Sequence, residues 1–310
     1  MSAIDSRIEV CWRESGGRGA PSERDAWRLL GRDTRQRSCK QAGNVQVTRR
    51  ANNVLQRVAA RLGFGVNVAR RRFGRHTGTR GVIGQRESQQ LIISVHLPRT
   101  AGTNFGKALR RHFRTRLLRD YSDFPINTPQ PQRNLAALGA SLRNANGDFP
   151  NVECIHGHFL PIKYLLTMHK RQVVFVTWMR NPVERVLSHY YYWKKTYSPR
   201  SAPLHRRVVE EDWSIERFCL GPEVRNLYCQ FLWGFPLDYF DFIGVTEFYE
   251  NDLAYFSQHC LGAYTRAKRL NVRTNGAYQI DGSFRDEIEA FHQRDMDLYR
   301  KALEMRLARR

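Results

Sequence analysis

The chain has 310 residues, with 51 Lys and Arg against 29 Asp and Glu and a formal net charge of +22. This length is enough to bury a complete α/β core, and the charge favours anionic ligands such as nucleotides or polyanions. No stretch reaches the roughly 20 apolar residues of a membrane helix, and no signal peptide is seen. We therefore expect a cytoplasmic protein, with a Golgi membrane location as the alternative if this chain lacks an anchor.

The first 90 residues differ in composition from the rest of the chain. They carry 19 Lys and Arg against 7 Asp and Glu, and few of their residues form apolar runs. Such a composition buries too little apolar surface to offset the entropy of ordering. We predict a basic extension of low order over residues 1–88, followed by a folded domain over residues 89–310.

The first chemically informative segment starts with the apolar run Ile92–Val95, which predicts a strand buried on both faces. Pro98 cannot continue a strand ladder, and Thr100–Thr103 is a turn of small residues before a helix predicted over Phe105–Phe113. Backbone N–H groups at a helix N-terminus bind oxyanions, and Arg99 adds a permanent charge. An ordinary strand–turn–helix corner with a surface arginine remains the alternative, and the segment is not a Walker A loop.

A pair of histidines is the next notable feature. After a long loop over residues 120–150, with one helix predicted near Leu135–Leu142, a short strand is predicted over Val152–Ile155, and it leads directly to His156 and His158. Histidine titrates near neutral pH, so either ring is a candidate general base. The alternatives are two structural histidines with satisfied hydrogen bonds, or a zinc pair together with Cys154.

A second strand and turn repeat the first pattern. Val173–Trp178 is another buried-strand run, and Arg180 follows it at the point where side chains enter the crevice beyond a parallel sheet. Pro182 suits the first position of a helix that carries Arg185 and Ser188. Arg180 can bind a phosphate in bidentate fashion, and Ser188 can add a hydroxyl. The alternatives are a structural salt bridge for Arg180, a plain surface serine, and an Arg185 that pairs with a carboxylate or packs along the helix.

The remaining elements alternate between helices and one further strand. Helices are predicted over four segments, and Ser283 is expected to cap the last of them; the segments are Ser214–Leu220, Asn226–Trp233, Phe248–Cys260 and Phe284–Leu307. The strand is predicted over Phe240–Val245. Alternation of strands and helices indicates an α/β fold with a mostly parallel central sheet.

Four segments, taken in order, resemble PAPS-dependent carbohydrate sulfotransferases (PAPS is 3′-phosphoadenosine 5′-phosphosulfate), and most closely the heparan sulfate 2-O-sulfotransferase type. They are the loop Pro98–Thr103, the His156–His158 segment, the arginine–serine segment Arg180–Ser188 with the tyrosines that follow, and the strand end Phe242–Glu247. Two positions depart from the family pattern, since Arg99 stands where the family has lysine and Asn181 where it has aspartate.

The resemblance implies a P-loop-like sulfotransferase fold and an in-line transfer of a sulfuryl group from PAPS to a carbohydrate hydroxyl, without a metal. It implies His158 as the base, with His156 as the alternative or a helper, and Arg180 and Ser188 as ligands of the 3′-phosphate. The 5′-phosphosulfate would be held by the first loop, in which Arg99 would also act in catalysis; the loop comprises Arg99, Thr100, Ala101, Gly102, Thr103 and Asn104. The expected partner is a saccharide, with an acidic glycan as a candidate, and not nucleic acid.

Two other functions explain part of the pattern. A non-enzymatic basic protein that binds nucleic acid or another polyanion, with an inert α/β domain, explains the charge but leaves the ordered motifs as coincidence. A kinase-like nucleotide enzyme is disfavoured by the missing Walker lysine and by the lack of an evident carboxylate pair for magnesium.

Overall fold

Five parallel strands form the centre of the part of the chain that the computed structural model describes, which comprises residues 90–147, 149–262 and 278–309. The sheet has the order β2-β3-β1-β4-β5, and its four pairings are all parallel; its strands are β1 Leu91–Val95, β2 Leu117–Asp120, β3 Cys154–Gly157, β4 Val173–Met179 and β5 Phe242–Val245. The predicted extension over residues 1–88 lies outside the described residues.

Helices connect successive strands, as parallel pairing requires. They are α1 Gly102–Phe113, α2 Gln130–Asn146, α3 Pro182–Lys195, α4 Pro203–Glu210, α5 Ile215–Cys219, α6 Leu227–Phe231, α7 Tyr249–Cys260, α8 Gly282–Phe291 and α9 Gln293–Leu307, and a run of 3-10 helix covers Pro161–His169. None of these helices is both long and apolar enough to cross a membrane. The predicted α/β class with a parallel sheet flanked by helices is confirmed.

The central strand β1 is buried along its whole length and contributes to a core on each face of the sheet. Ile93 and Val95 belong to the cluster on one face, whereas Ile92 packs with Phe105 and Leu109 of α1 in the other. Alternate side chains of a strand point to opposite faces, so an unbroken apolar run is what a strand covered on both sides requires. This arrangement fixes the carboxyl end of β1 at the middle of the sheet edge.

The region between the two motifs contains more regular structure than the sequence indicated. The strand β2 was not predicted, and α2 is longer than the single helix expected near Leu135–Leu142. The next strand, β3, begins at Cys154 rather than at Val152, so His156 lies on the strand itself. The residues of β2 and α2 are mixed polar and apolar, which gives little periodic signal. Helix α4, which follows the second motif, was also missed.

The helix predicted over Phe284–Leu307 is in fact the two helices α8 and α9. They are interrupted at His292, which is fully buried and whose ring accepts a hydrogen bond from the Asn226 backbone N–H at 3.1 Å and bonds to the Cys219 carbonyl at 2.9 Å. These contacts tie the interruption to two other segments of the chain. The cap of α8 is also different from the prediction, because Asp281 accepts from the Ser283 N–H at 2.9 Å.

Candidate active site

The turn between β1 and α1 has an unusual backbone. Arg99 and Ala101 have φ angles of 66° and 63°, in the left-handed region that non-glycine residues rarely adopt, each at a cost of about 1–3 kcal/mol. The Thr100 hydroxyl stabilises the turn by donating to the Leu97 carbonyl at 2.8 Å. A Cβ on Gly102 would lie 1.8 Å from the nearest ring atom of His96, so only glycine fits there. The turn is thus held in a strained shape by the surrounding packing.

The N-terminus of α1 is electrostatically suited to an anion. Its cap residue Ala101 offers no side-chain hydrogen bond, and the first turn contains no acidic residue. Thr103 is exposed in this first turn, whereas Asn104 is buried and its N–H donates to the Ala101 carbonyl at 3.0 Å. The positive end of the helix dipole therefore faces the loop without a neighbouring carboxylate.

The two motifs meet at Arg99. Its Nε donates to the Ser188 hydroxyl at 3.1 Å, and its guanidinium lies 4.0 Å from the centre of the Tyr192 ring. Arg99 and Ser188 are 89 residues apart in sequence, so only the tertiary fold brings their side chains together. The resemblance assigns them to opposite ends of the nucleotide, and in this structure they are in direct contact.

Arg180 stands at the carboxyl end of β4, and its side chain is 24% exposed. Its guanidinium is 3.9 Å from Glu184, which also pairs with Arg285 at 3.1 Å. Asn181 caps α3 by accepting from two backbone N–H groups, so the amide replaces a capping aspartate without adding a negative charge. We call the partly exposed Arg99 and Arg180, together with the buried Ser188, the cationic edge.

Arg185 is fully buried and is not exposed to the cleft. Of the two sequence interpretations, packing is the one observed, because its guanidinium nitrogens have no hydrogen-bond partner among the described residues. The guanidinium lies 5.6 Å from the centre of the Tyr228 ring. Arg185 is therefore part of the support behind α3 and not a ligand of the cleft.

Three histidines and a tyrosine lie together at the neighbouring strand ends. The ring centres of His96 and His158 are 4.3 Å apart, and those of His96 and His156 are 5.2 Å apart. Tyr121, just after β2, has its ring 4.9 Å from His158 and its hydroxyl 3.0 Å from His96 Nδ1. We call His96, His156 and His158 the histidine cluster.

Within the histidine cluster, His158 has the geometry of a base. It is half-buried, and its Nδ1 forms a hydrogen bond with the His96 carbonyl, which can only accept. That bond places the proton on Nδ1 and leaves Nε2 with the lone pair. His156 is buried on β3, and its Nδ1 is hydrogen-bonded to the Ser94 hydroxyl at 2.8 Å. This contact fixes the orientation of the His156 ring beside His96.

Burial keeps the histidine cluster neutral. It lowers the pKa of His156 to about 3 and that of His96 well below the usual 6.5, and it also lowers the pKa of His158. Burial raises the pKa of the Tyr121 hydroxyl to about 12, so this hydroxyl stays protonated at neutral pH. Among the described residues, no group of three or more His, Cys, Asp or Glu side chains is placed to hold a metal ion.

Sequence reasoning missed His96 and Tyr121. His96 lies inside the first motif, between the end of the strand and Pro98. A titratable ring at that position could have been recognised as a candidate site residue. Tyr121 carried no such signal, because β2 itself was not predicted. The structure brings both to His158 through the strand order β2-β3-β1.

Comparison with known proteins gives little further identification. No protein-family model matches the chain, and no curated protein matches it. Among solved structures, the chain is similar to a sulfotransferase from Alicyclobacillus acidocaldarius, with 14% identity, a TM-score of 0.35, and coverage of 68% of this chain and 93% of that chain. At this TM-score the likeness identifies neither a family nor a function.

Proposed function

We propose that this chain is a sulfotransferase that transfers a sulfuryl group from PAPS to a hydroxyl of a carbohydrate. The observation that carries the proposal is the meeting of Arg99 and Ser188 at the strand ends, beside a cluster that contains His158. In open α/β sheets, ligands bind beyond the carboxyl ends of the strands. The proposal places a phosphate-binding surface and a neutral base at that edge.

The donor fits the cationic edge and the loop that precedes α1. Arg180 offers a partly exposed guanidinium for the 3′-phosphate, with the Ser188 hydroxyl two helical turns along α3. The turn residues 100–104 and the N-terminus of α1 would hold the 5′-phosphosulfate. Arg99, whose Nε contacts Ser188, would lie between the 3′-phosphate and the bond that breaks. Arginine binds phosphate oxygens in bidentate fashion, which suits both positions.

The chemistry assigned to the residues is general-base catalysis with stabilisation of the leaving phosphate. His158 Nε2 takes the proton of the acceptor hydroxyl as its oxygen forms a bond to sulfur. The bond between sulfur and the 5′-phosphate oxygen breaks, and the electron pair leaves with that oxygen. Arg99 and the positive end of α1 stabilise the charge that develops there. His156 orients the site without exchanging a proton with substrate.

The acceptor is proposed from the surface at the end of α3. Tyr191 and Tyr192 are 44% and 43% exposed, whereas Trp193 is buried. One face of the Tyr192 ring lies against the Arg99 guanidinium, so the solvent-exposed parts of the two tyrosine rings are the surface proposed to contact a sugar. Lys195 is exposed next to them, and Lys194 is paired with Asp212. Exposed tyrosines beside a cation favour a carbohydrate, and the basic charge makes an acidic glycan the first acceptor to test.

The test is calorimetric titration of the full chain with 3′-phosphoadenosine 5′-phosphate, the product nucleotide, and with ADP as the control. The proposal expects tight binding that depends on the 3′-phosphate. Equal binding of the two nucleotides, or no binding of either, would contradict the proposal and favour the basic polyanion-binding protein.

A further inference from the structure

Tyr228 contacts the main chain of Arg180 with both hydrogen-bonding functions of its hydroxyl. The Arg180 N–H donates to the hydroxyl oxygen at 3.0 Å, and the hydroxyl donates to the Arg180 carbonyl at 2.6 Å. Tyr228 belongs to α6 and is completely buried. Its side chain therefore reaches the site from behind and does not enter the cleft.

The position of Arg180 explains why such a contact is needed. The last pairing of β4 with β1 joins Thr177 to Val95, and the last with β5 joins Met179 to Val245. Arg180 lies beyond both pairings, so its N–H and carbonyl are no longer part of the sheet ladder. Buried main-chain groups without partners are costly, and a tyrosine hydroxyl satisfies a donor and an acceptor at once.

Tyr228 is itself held in place from α9. Its N–H and that of Cys229 donate to the two carboxylate oxygens of Asp295, at 2.9 and 3.1 Å, and Asp295 is fully buried. The buried Arg185 guanidinium faces the tyrosine ring. The Tyr228 hydroxyl is therefore fixed relative to α9 and α3. Because the hydroxyl bonds to the Arg180 main chain, it also fixes the position of the Arg180 backbone.

We propose that Tyr228 is a positioning residue that directs the Arg180 guanidinium toward the 3′-phosphate and thereby sets the preference for a 3′-phosphorylated nucleotide. The inference rests on the proposed function. The Arg180 side chain is long, so a small change in its backbone angles displaces the guanidinium by more than a hydrogen bond tolerates. Tyr228 itself touches no ligand.

The experiment compares the Kd of 3′-phosphoadenosine 5′-phosphate with that of adenosine 5′-phosphate, by calorimetry, in the full chain. Tyr228→Phe is expected to weaken binding of the first nucleotide about fivefold, the scale of one hydrogen bond, and to leave the second unchanged. Tyr164→Phe is the matched control, because Tyr164 is also buried and donates to Asp120 at 2.7 Å on another strand. It should leave both Kd values unchanged.

The same substitution in an Arg180→Ala background separates positioning from general damage. If Tyr228 acts through Arg180, Tyr228→Phe has no further effect on the preference once the guanidinium is gone. A preference that Tyr228→Phe leaves undiminished, an equal loss for both nucleotides, or an undiminished effect in the Arg180→Ala background would each overturn the role of Tyr228 alone. A wild-type chain with no preference for the 3′-phosphate would overturn the proposed function, and the role of Tyr228 with it.

Discussion

The histidine cluster and the cationic edge lie at one end of the same sheet but handle charge in opposite ways. In the histidine cluster, burial lowers the pKa of His96, His156 and His158, so the rings are neutral at pH 7. At the cationic edge, Arg99 and Arg180 are partly exposed to solvent, where their guanidinium groups can contact an anion. The proposed proton acceptor and the proposed phosphate-binding residues can therefore coexist, because each group has its own environment.

The largest effect is expected when the base is removed. His158→Ala should lower kcat by about 10³-fold, since general-base catalysis contributes on that scale, and should leave the Kd of 3′-phosphoadenosine 5′-phosphate unchanged. Steady-state kinetics and calorimetry on the same preparation measure the two quantities. His259→Ala, which removes an exposed histidine on α7, is the control. Normal transfer by His158→Ala would show that another group is the base.

The next effect is expected at the cationic edge. Arg180→Ala should weaken binding of 3′-phosphoadenosine 5′-phosphate about 30-fold, or about 2 kcal/mol, as for a lost charge-assisted hydrogen bond. Binding of adenosine 5′-phosphate, which lacks the contacted group, should change less than about twofold. The two Kd values can be measured by calorimetry. An equal loss for both nucleotides would place Arg180 at the 5′ end.

Lowering the pH should decrease the free energy of unfolding through the histidine cluster and not through the cationic edge. The pKa of His156 is lower in the folded chain than the 6.5 of an unfolded histidine, so below pH 6.5 the unfolded state takes up the proton first. Stability is full above pH 6.5 and falls as the pH decreases toward about 3. At pH 5 the loss from one such histidine is about 2 kcal/mol.

The measurement is urea unfolding of the wild type and of His156→Asn at pH 7, 6 and 5. The variant is the necessary comparison, because burial raises the pKa of Asp295 and of other acids, which act in the opposite direction. The fall in unfolding free energy between pH 7 and pH 5 should be about 2 kcal/mol smaller in the variant. An identical fall in both chains would mean that His156 does not stay neutral in the folded state.

The smallest effect is expected for the hydroxyl that joins the two motifs. Ser188→Ala removes the acceptor of the Arg99 Nε–H and one proposed ligand of the 3′-phosphate, and should weaken nucleotide binding about fivefold. Ser257→Ala is the matched control, because Ser257 is fully buried in α7 and its hydroxyl has no hydrogen-bond partner among the described residues. Binding that is unaffected in Ser188→Ala would remove Ser188 from the proposed site.

The parts of the fold that sequence analysis predicted are those with strong local signals. The strands β1, β4 and β5 are apolar runs that end at turn residues, and two of these ends carry the proposed phosphate ligands. The strand β2 was missed because it reads Leu-Leu-Arg-Asp and none of its first three residues is buried, as on a sheet edge. The interruption at His292 was missed for a related reason, since the contacts of that ring are with residues far away in sequence.

The sequence by itself determined the α/β class and the positions of the motif turns, because apolar runs and turn chemistry are local properties. Only the tertiary structure decided which of those residues meet. The order β2-β3-β1-β4-β5 brings Tyr121, His96 and His158 together, and the packing of α3 and α6 joins Arg99 to Ser188 and Tyr228 to Arg180. Such contacts depend on how buried surfaces pack together across the sheet. Hydrophobic periodicity predicts single elements and not the packing between them.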